Sequence, residues 1–165
     1  MPTARHNRPT MARAFAPLFF LAVAFGGTIL SAHADPALPN AAYARINALR
    51  AGHGLGPVTP DRRLIAAASR HAHDMAGNDF MGHVGSDGSR TGSRADAAGY
   101  GWRLIAENVA AGPDDALVVI SLWMRSPGHR NNLLTRGAVH AGFVHVARDG
   151  ASYRNYWVLV LAAPL

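Results

Sequence analysis

The end of the chain constrains the fold most. Residues 138–147 and 153–161 are two apolar-rich runs of strand length. Between them Arg148-Asp149-Gly150-Ala151-Ser152 carries an Asp-Gly turn signal. Two strands joined in this way pair antiparallel, and such a sheet needs helices to cover it. The preceding residues supply them. Asn40 is placed to cap a helix over residues 41–50, with Ala42, Ile46 and Leu49 at helical spacing and Gly52 after its end. Thr59 or Asp61 starts a second helix that reaches about residue 76, with Gly77 as its C-cap. Leu64, Ala68, His71 and Met75 form its apolar stripe, widened by Ile65 and Ala72. A short helix is expected at residues 94–98, ending at Gly99. Gly112-Pro113-Asp114-Asp115 opens a third major helix with Leu117, Ile120, Trp123 and Met124 at helical spacing, and Ser126-Pro127-Gly128 stops it. Residues 130–134 read as a turn back, and residues 104–111 as a short strand or turn. Helices first, a middle strand and a closing hairpin together predict an α+β fold with an antiparallel sheet covered by helices.

The N-terminus reads as an export signal. Arg5, Arg8 and Arg13 make a basic start, residues 14–30 are apolar, and Ala32-His33-Ala34 fits a small-x-small cleavage site. The apolar run is short for a membrane span, and Pro17, Gly26 and Gly27 weaken a helix there. The expected organisation is a signal peptide at residues 1–34 and one domain at residues 35–165, secreted or periplasmic after cleavage near Ala34. No later segment is long and apolar enough to be a membrane helix.

The formal charge of +6 overstates the mature balance. Three of the sixteen basic residues lie in the leader, which leaves thirteen against ten acids, or +3. All are arginines, scattered without a block, so nucleic-acid binding is not supported. The chain has no cysteine, which removes disulfides, thiolate metal sites and cysteine nucleophiles.

Glu107 is the only glutamate, and it sits in the apolar run Leu104-Ile105-Ala106-Glu107-Asn108-Val109-Ala110-Ala111. A carboxylate there needs pairing, hydrogen bonds or a metal. The candidate companions are His83, in a turn-rich loop after Phe80 and Met81, and His129, just after the Pro127-Gly128 break. One reading brings all three into a single cleft; the other makes Glu107 a half-buried cap of a backbone turn. His71 is expected at the core edge and His73 in water. His140 and His145 differ by an odd number of residues and should face opposite sides of a strand. Asn108, Arg130 and Asn132 read as turn-bonding structural residues, Trp123 and Trp157 as core aromatics. Arg94 is expected to pair at the surface with Asp96 or Asp87.

Several motifs stand in a telling order: His71-Ala72-His73-Asp74-Met75, Phe80 to His83, Ala106-Glu107-Asn108, and Trp123-Met124-Arg125-Ser126-Pro127-Gly128-His129-Arg130-Asn131-Asn132-Leu133-Leu134, followed by Ala141-Gly142-Phe143 and Tyr156-Trp157. Together they resemble the CAP superfamily (SCP-like, cysteine-rich secretory, antigen 5 and pathogenesis-related proteins) in its bacterial secreted form, over about residues 43–161. The resemblance implies a three-layer α-β-α sandwich around a central antiparallel sheet. It also implies a cleft of two histidines and acidic residues, of which His83, Glu107 and His129 match three members. The fourth, a glutamate in many eukaryotic relatives, falls at about Ser126, so two-carboxylate acid/base chemistry loses its partner.

Two imidazoles in one cleft suit a weakly bound divalent metal, zinc first, with His83 and His129 as ligands. Glu107 would then orient a histidine or act as the catalytic base. Three functions follow as expectations: a monomeric binding module for an envelope, lipid or protein ligand; a metal-dependent, peptidase-like hydrolase using His83, His129 and Glu107; or a structural envelope protein. No Gly-x-Ser-x-Gly or His-Glu-x-x-His motif occurs.

Overall fold

The computed structural model describes residues 37–165. The proposed leader and its cleavage site lie outside them. Five helices and four strands follow in order: α1 (Ala37–Ala51), β1 (Thr59–Pro60), α2 (Arg62–Asn78), α3 (Thr91–Ala97), β2 (Trp102–Ala111), α4 (Ala116–Arg125), α5 (Pro127–Leu133), β3 (His140–Ala147) and β4 (Asn155–Pro164). The strands form one sheet in the order β1-β3-β4-β2. β4 pairs antiparallel with both β3 and β2, and the two-residue β1 runs parallel to β3.

Side-chain alternation along β4 builds two cores. Trp157, Leu159 and Leu161 face one side, with Ile46 of α1, Val119, Ile120 and Trp123 of α4, and Leu133 of α5. Tyr156, Val158, Val160 and Ala162 face the other, with Leu64, Ala68, Ala72 and Met75 of α2 and Ala95 of α3. The result is the expected α-β-α sandwich. α2 lies very close to the sheet. A Cβ added at Gly142 would meet the Leu64 backbone at 2.3 Å, so only glycine lets helix and strand approach this far.

The local signals hold in kind and shift in place. Asp61 caps α2, its Oδ1 accepting from the Arg63 N–H at 2.8 Å. The C-cap is not Gly77 but Asp79, in the left-handed region at φ 53°. Asp79 is held there by its side chain, whose carboxylate accepts from Tyr156 Oη at 2.6 Å and from the Ser152 N–H at 2.9 Å. α1 starts at Ala37, ahead of the cap expected at Asn40. The expected turn at 130–134 is instead the end of α5 and its C-cap Leu134, a helix that Pro127 opens at its first turn. The stretch left open as strand or turn is a full ten-residue strand, β2, at one edge of the sheet.

Candidate functional site

Glu107 and Asn108 are consecutive on β2 and therefore project to opposite faces of the sheet. Ile105 and Val109 pack with the α2/α3 core, and Leu104 and Ala110 with the α1/α4 core. Glu107 thus belongs to the α2/α3 layer and Asn108 to the α4/α5 layer. One histidine is fixed from each side. His83 Nδ1 lies 2.9 Å from Glu107 Oε1. The Asn108 Nδ2 group donates to the His129 carbonyl at 3.0 Å. Asn132 Nδ2 closes the junction by donating to the Glu107 carbonyl at 2.8 Å and to Asn108 Oδ1 at 2.9 Å. The structural expectation for Asn108 and Asn132 is met. Arg130 is exposed and donates to His53 Nε2 at 3.2 Å.

The second oxygen of Glu107 belongs to Arg94, whose Nη2 donates to Oε2 at 2.7 Å. Both side chains are buried, with 1% of Arg94 and 3% of Glu107 exposed. This corrects the surface pairing with Asp96 or Asp87 expected for Arg94. Burial pushes the Glu107 carboxyl up, but the bond from His83 and the Arg94 charge outweigh it, and the group ends below the ordinary carboxylate range. Arg94 also donates to the Ser89 carbonyl at 2.8 Å and to the His83 carbonyl at 3.2 Å, which pins the loop that carries His83. His71, buried rather than at the core edge, holds the same loop one residue earlier. Its Nε2 donates to the Gly82 carbonyl at 2.7 Å.

The imidazoles, by contrast, face outward. The His83 side chain is 54% exposed. Its hydrogen bond to Glu107 holds its pKa above the ordinary value. His129 is half-buried, and Nδ1 lies 2.9 Å from Ser126 Oγ. Desolvation lowers its pKa, and the charge of His83 lowers it further. The cleft is open. Cavities of about 300 Å³, by Asp79 and Arg148, and about 200 Å³, between α2 and α3, contain neither histidine.

For the expected metal, the donors are two imidazole Nε2 atoms. Glu107 is already bonded on both oxygens. Among the described residues, no group of three or more His, Asp or Glu side chains converges. Structural zinc sites use four protein ligands and catalytic ones three, so this set does not fit a tight zinc site.

Residues 43–161 match the sequence model of the cysteine-rich secretory protein family, CAP. The chain belongs to this family. YkwD of Bacillus subtilis is 29% identical to it over 100 residues, which is 61% of this chain but 39% of that relative. The chain therefore spans well under half the length of that relative. Among solved structures, an outer surface protein of Borrelia burgdorferi superposes with a TM-score of 0.72 at 19% identity, over 79% of this chain and 95% of the other. An extracellular SCP-domain protein of Bacillus anthracis gives 0.66 at 24%, over 74% of this chain and 39% of the other. At these identities the likeness establishes the shared fold. Sequence reasoning named Glu107, His83 and His129 together but tied neither Arg94 nor His71 to them. The signal for Arg94 was present: a lone carboxylate in an apolar run calls for a cation as well as an imidazole.

Proposed function

We propose that this chain is an exported recognition domain whose ligand meets the His83–His129 cleft. The observation that carries the reading is the two-sided capture of Glu107 by Arg94 and His83. A carboxylate with a guanidinium on one oxygen and an imidazole on the other is a poor proton acceptor, which disfavours Glu107 as a hydrolytic base. Its work is to orient His83 and leave that ring's outer nitrogen to a ligand. Export is supported by the basic and apolar start of the chain and by relatives described as extracellular and outer-surface proteins.

The test is saturable binding of the purified protein to isolated cell envelope, with a His83→Ala, His129→Ala double variant beside it. The expected result is binding without turnover, lost in the variant. Peptide or ester turnover abolished by Glu107→Gln and by chelator would replace this reading with the hydrolase. Undiminished binding by a variant whose stability has collapsed would leave the histidines as fold staples.

A further inference from the structure

We infer that the outer face of α4 is a docking surface for a second copy of this chain, which it meets antiparallel across a two-fold axis. Neither His83 nor His129 is needed for this contact. α4 turns Ala116, Val119, Ile120 and Trp123 inward, and all four are buried. At about 100° per residue, Leu117, Val118, Ser121, Leu122 and Arg125 fall within one arc of about 140° on the opposite side. A surface helix ordinarily shows charged and polar residues there. Here Leu117 is 45% exposed, Val118 48% and Leu122 40%. Three of the eight large apolar side chains exposed among the described residues thus share one ten-residue helix. Single exposed apolar residues are ordinary; a cluster on one face marks a contact. Ser121 lies at the centre of the face. Its hydroxyl donates to the Leu117 carbonyl at 2.7 Å, so covering it strands no polar group.

The charges at the two ends of the helix say what covers it. Asp114 stands just before the N-cap Asp115, and Arg125 is the last helical residue. Asp115 is spent on the cap, its Oδ1 accepting from the Leu117 N–H at 2.6 Å. Asp114 and Arg125 are exposed, and neither belongs to an ion pair among the described residues. A face that is acidic at one end, basic at the other and apolar between is complementary to itself turned end for end. A two-fold axis at Ser121 makes that contact, and such a contact closes at two copies. Leu122 of each protomer then falls between the levels of Val118 and Ser121 of the other. Arg125 lies about 6 Å along the helix on one side of the axis and Asp114 about 10 Å on the other, a mismatch of about 4 Å that an arginine side chain spans. An anionic lipid surface would attract Arg125 but repel Asp114 and Asp115, so the second copy fits the face better. The contact is a small one. Stable interfaces take about 800 Å² from each partner, and a ten-residue helix is only about 15 Å long and about 10 Å across. Association is therefore weak, in the micromolar to millimolar range. The monomer expected from the sequence is the dilute form of this dimer.

The experiment is sedimentation velocity on the protein purified from cells expressing the full chain, from about 10 μM to about 1 mM. The expected result is a sedimentation coefficient that rises with concentration from monomer toward dimer. Leu122→Glu should abolish the rise and leave the circular dichroism spectrum unchanged, because the side chain it alters is exposed. Asp114→Arg and Arg125→Asp should each weaken association about tenfold, since each sets like charges against one another at both ends of the contact. The double variant, Asp114→Arg with Arg125→Asp, restores opposite charges at both ends and should restore dimerisation. A structural role for either residue within one chain would not produce that rescue. A monomer at every concentration overturns the inference. A dimer indifferent to Leu122→Glu also overturns it, because another surface then makes the contact. Failure of the double variant to recover overturns the antiparallel pairing. Vesicles of phosphatidylcholine with phosphatidylglycerol are tested alongside. A chain that stays monomeric and is retained on them, with retention lost in Leu122→Glu, assigns the face to a lipid surface and overturns the second copy.

Discussion

At the scale of single residues, the Arg94–Glu107 pair carries the heaviest electrostatic demand. Glu107→Gln leaves a guanidinium buried with no counter-charge, and the expected loss of unfolding free energy is roughly 3–5 kcal/mol, read by urea denaturation. Replacing both partners with apolar residues, Arg94→Met with Glu107→Leu, should recover most of that loss, since well-packed apolar side chains often match a buried ion pair. The pH dependence has a definite sign. Glu107 titrates lower in the folded state than in the unfolded one, so its contribution is present above the unfolded value of about 4.3 and is lost as pH falls through the folded value. His83 runs the other way. Its folded pKa is raised, so its contribution is full below the unfolded value of about 6.5 and is lost as pH rises through the folded value. His129 has a lowered folded pKa and costs stability as pH falls below about 6.5. In Glu107→Gln the His83 midpoint should fall toward that ordinary value, which an NMR titration measures directly. Glu107 was legible in the sequence because it stands alone among apolar neighbours. The need for a cation beside it was legible too, but its identity as Arg94 was not, because the pair is thirteen residues apart, from α3 across a turn onto β2.

At the scale of elements, side chains finish what backbone pairing leaves open. β2 is an edge strand. The Glu107 carbonyl is covered by Asn132 and the Val109 carbonyl by Trp123 Nε1 at 3.1 Å, while the register shifts between Trp102 and Leu104 at the strand's start. That explains why β2 was hard to read as a strand: its edge is closed by α4 and α5 rather than by a fifth strand. α5 was hidden for a related reason. Pro127 ends α4 and begins the next helix, and both uses leave the same mark in sequence. Arg50 joins α1 to the chain after α5. Its buried guanidinium has no carboxylate partner among the described residues and donates instead to the carbonyls of Gly56, Leu133, Thr135 and Ala138. Arg50→Met should cost about 3 kcal/mol or more, because several buried carbonyls lose their donors together; a lowered thermal midpoint at unchanged helix content would register it. Gly142→Ala tests the α2–β3 approach. Its methyl meets backbone that cannot rotate away, so α2 must shift, at a cost of about 1–3 kcal/mol read from the urea midpoint.

At the scale of the whole molecule, β4 makes one cooperative unit of two cores. It is buried along almost its full length and sends alternate residues to each helical layer. Neither layer can lose its packing and leave β4 as a folded surface for the other, because the exposed face would be Trp157, Leu159 and Leu161 or Tyr156, Val158 and Val160. The two sides should therefore melt together. Leu159→Ala opens a cavity on the α1/α4 side and Met75→Ala one on the α2/α3 side, each at a cost of about 2–5 kcal/mol. The tryptophans report the sides separately: Trp123 and Trp157 pack with the first core, Trp102 with the second. In each variant that keeps only one side's tryptophans, the urea midpoint by fluorescence should coincide with that variant's own midpoint by circular dichroism, and either cavity should lower the stability of both variants by the same amount. A cavity that lowers only its own side's midpoint would mean that the layers fold independently, and that the candidate site, which takes His83 from one layer and His129 from the other, is assembled by docking rather than by folding.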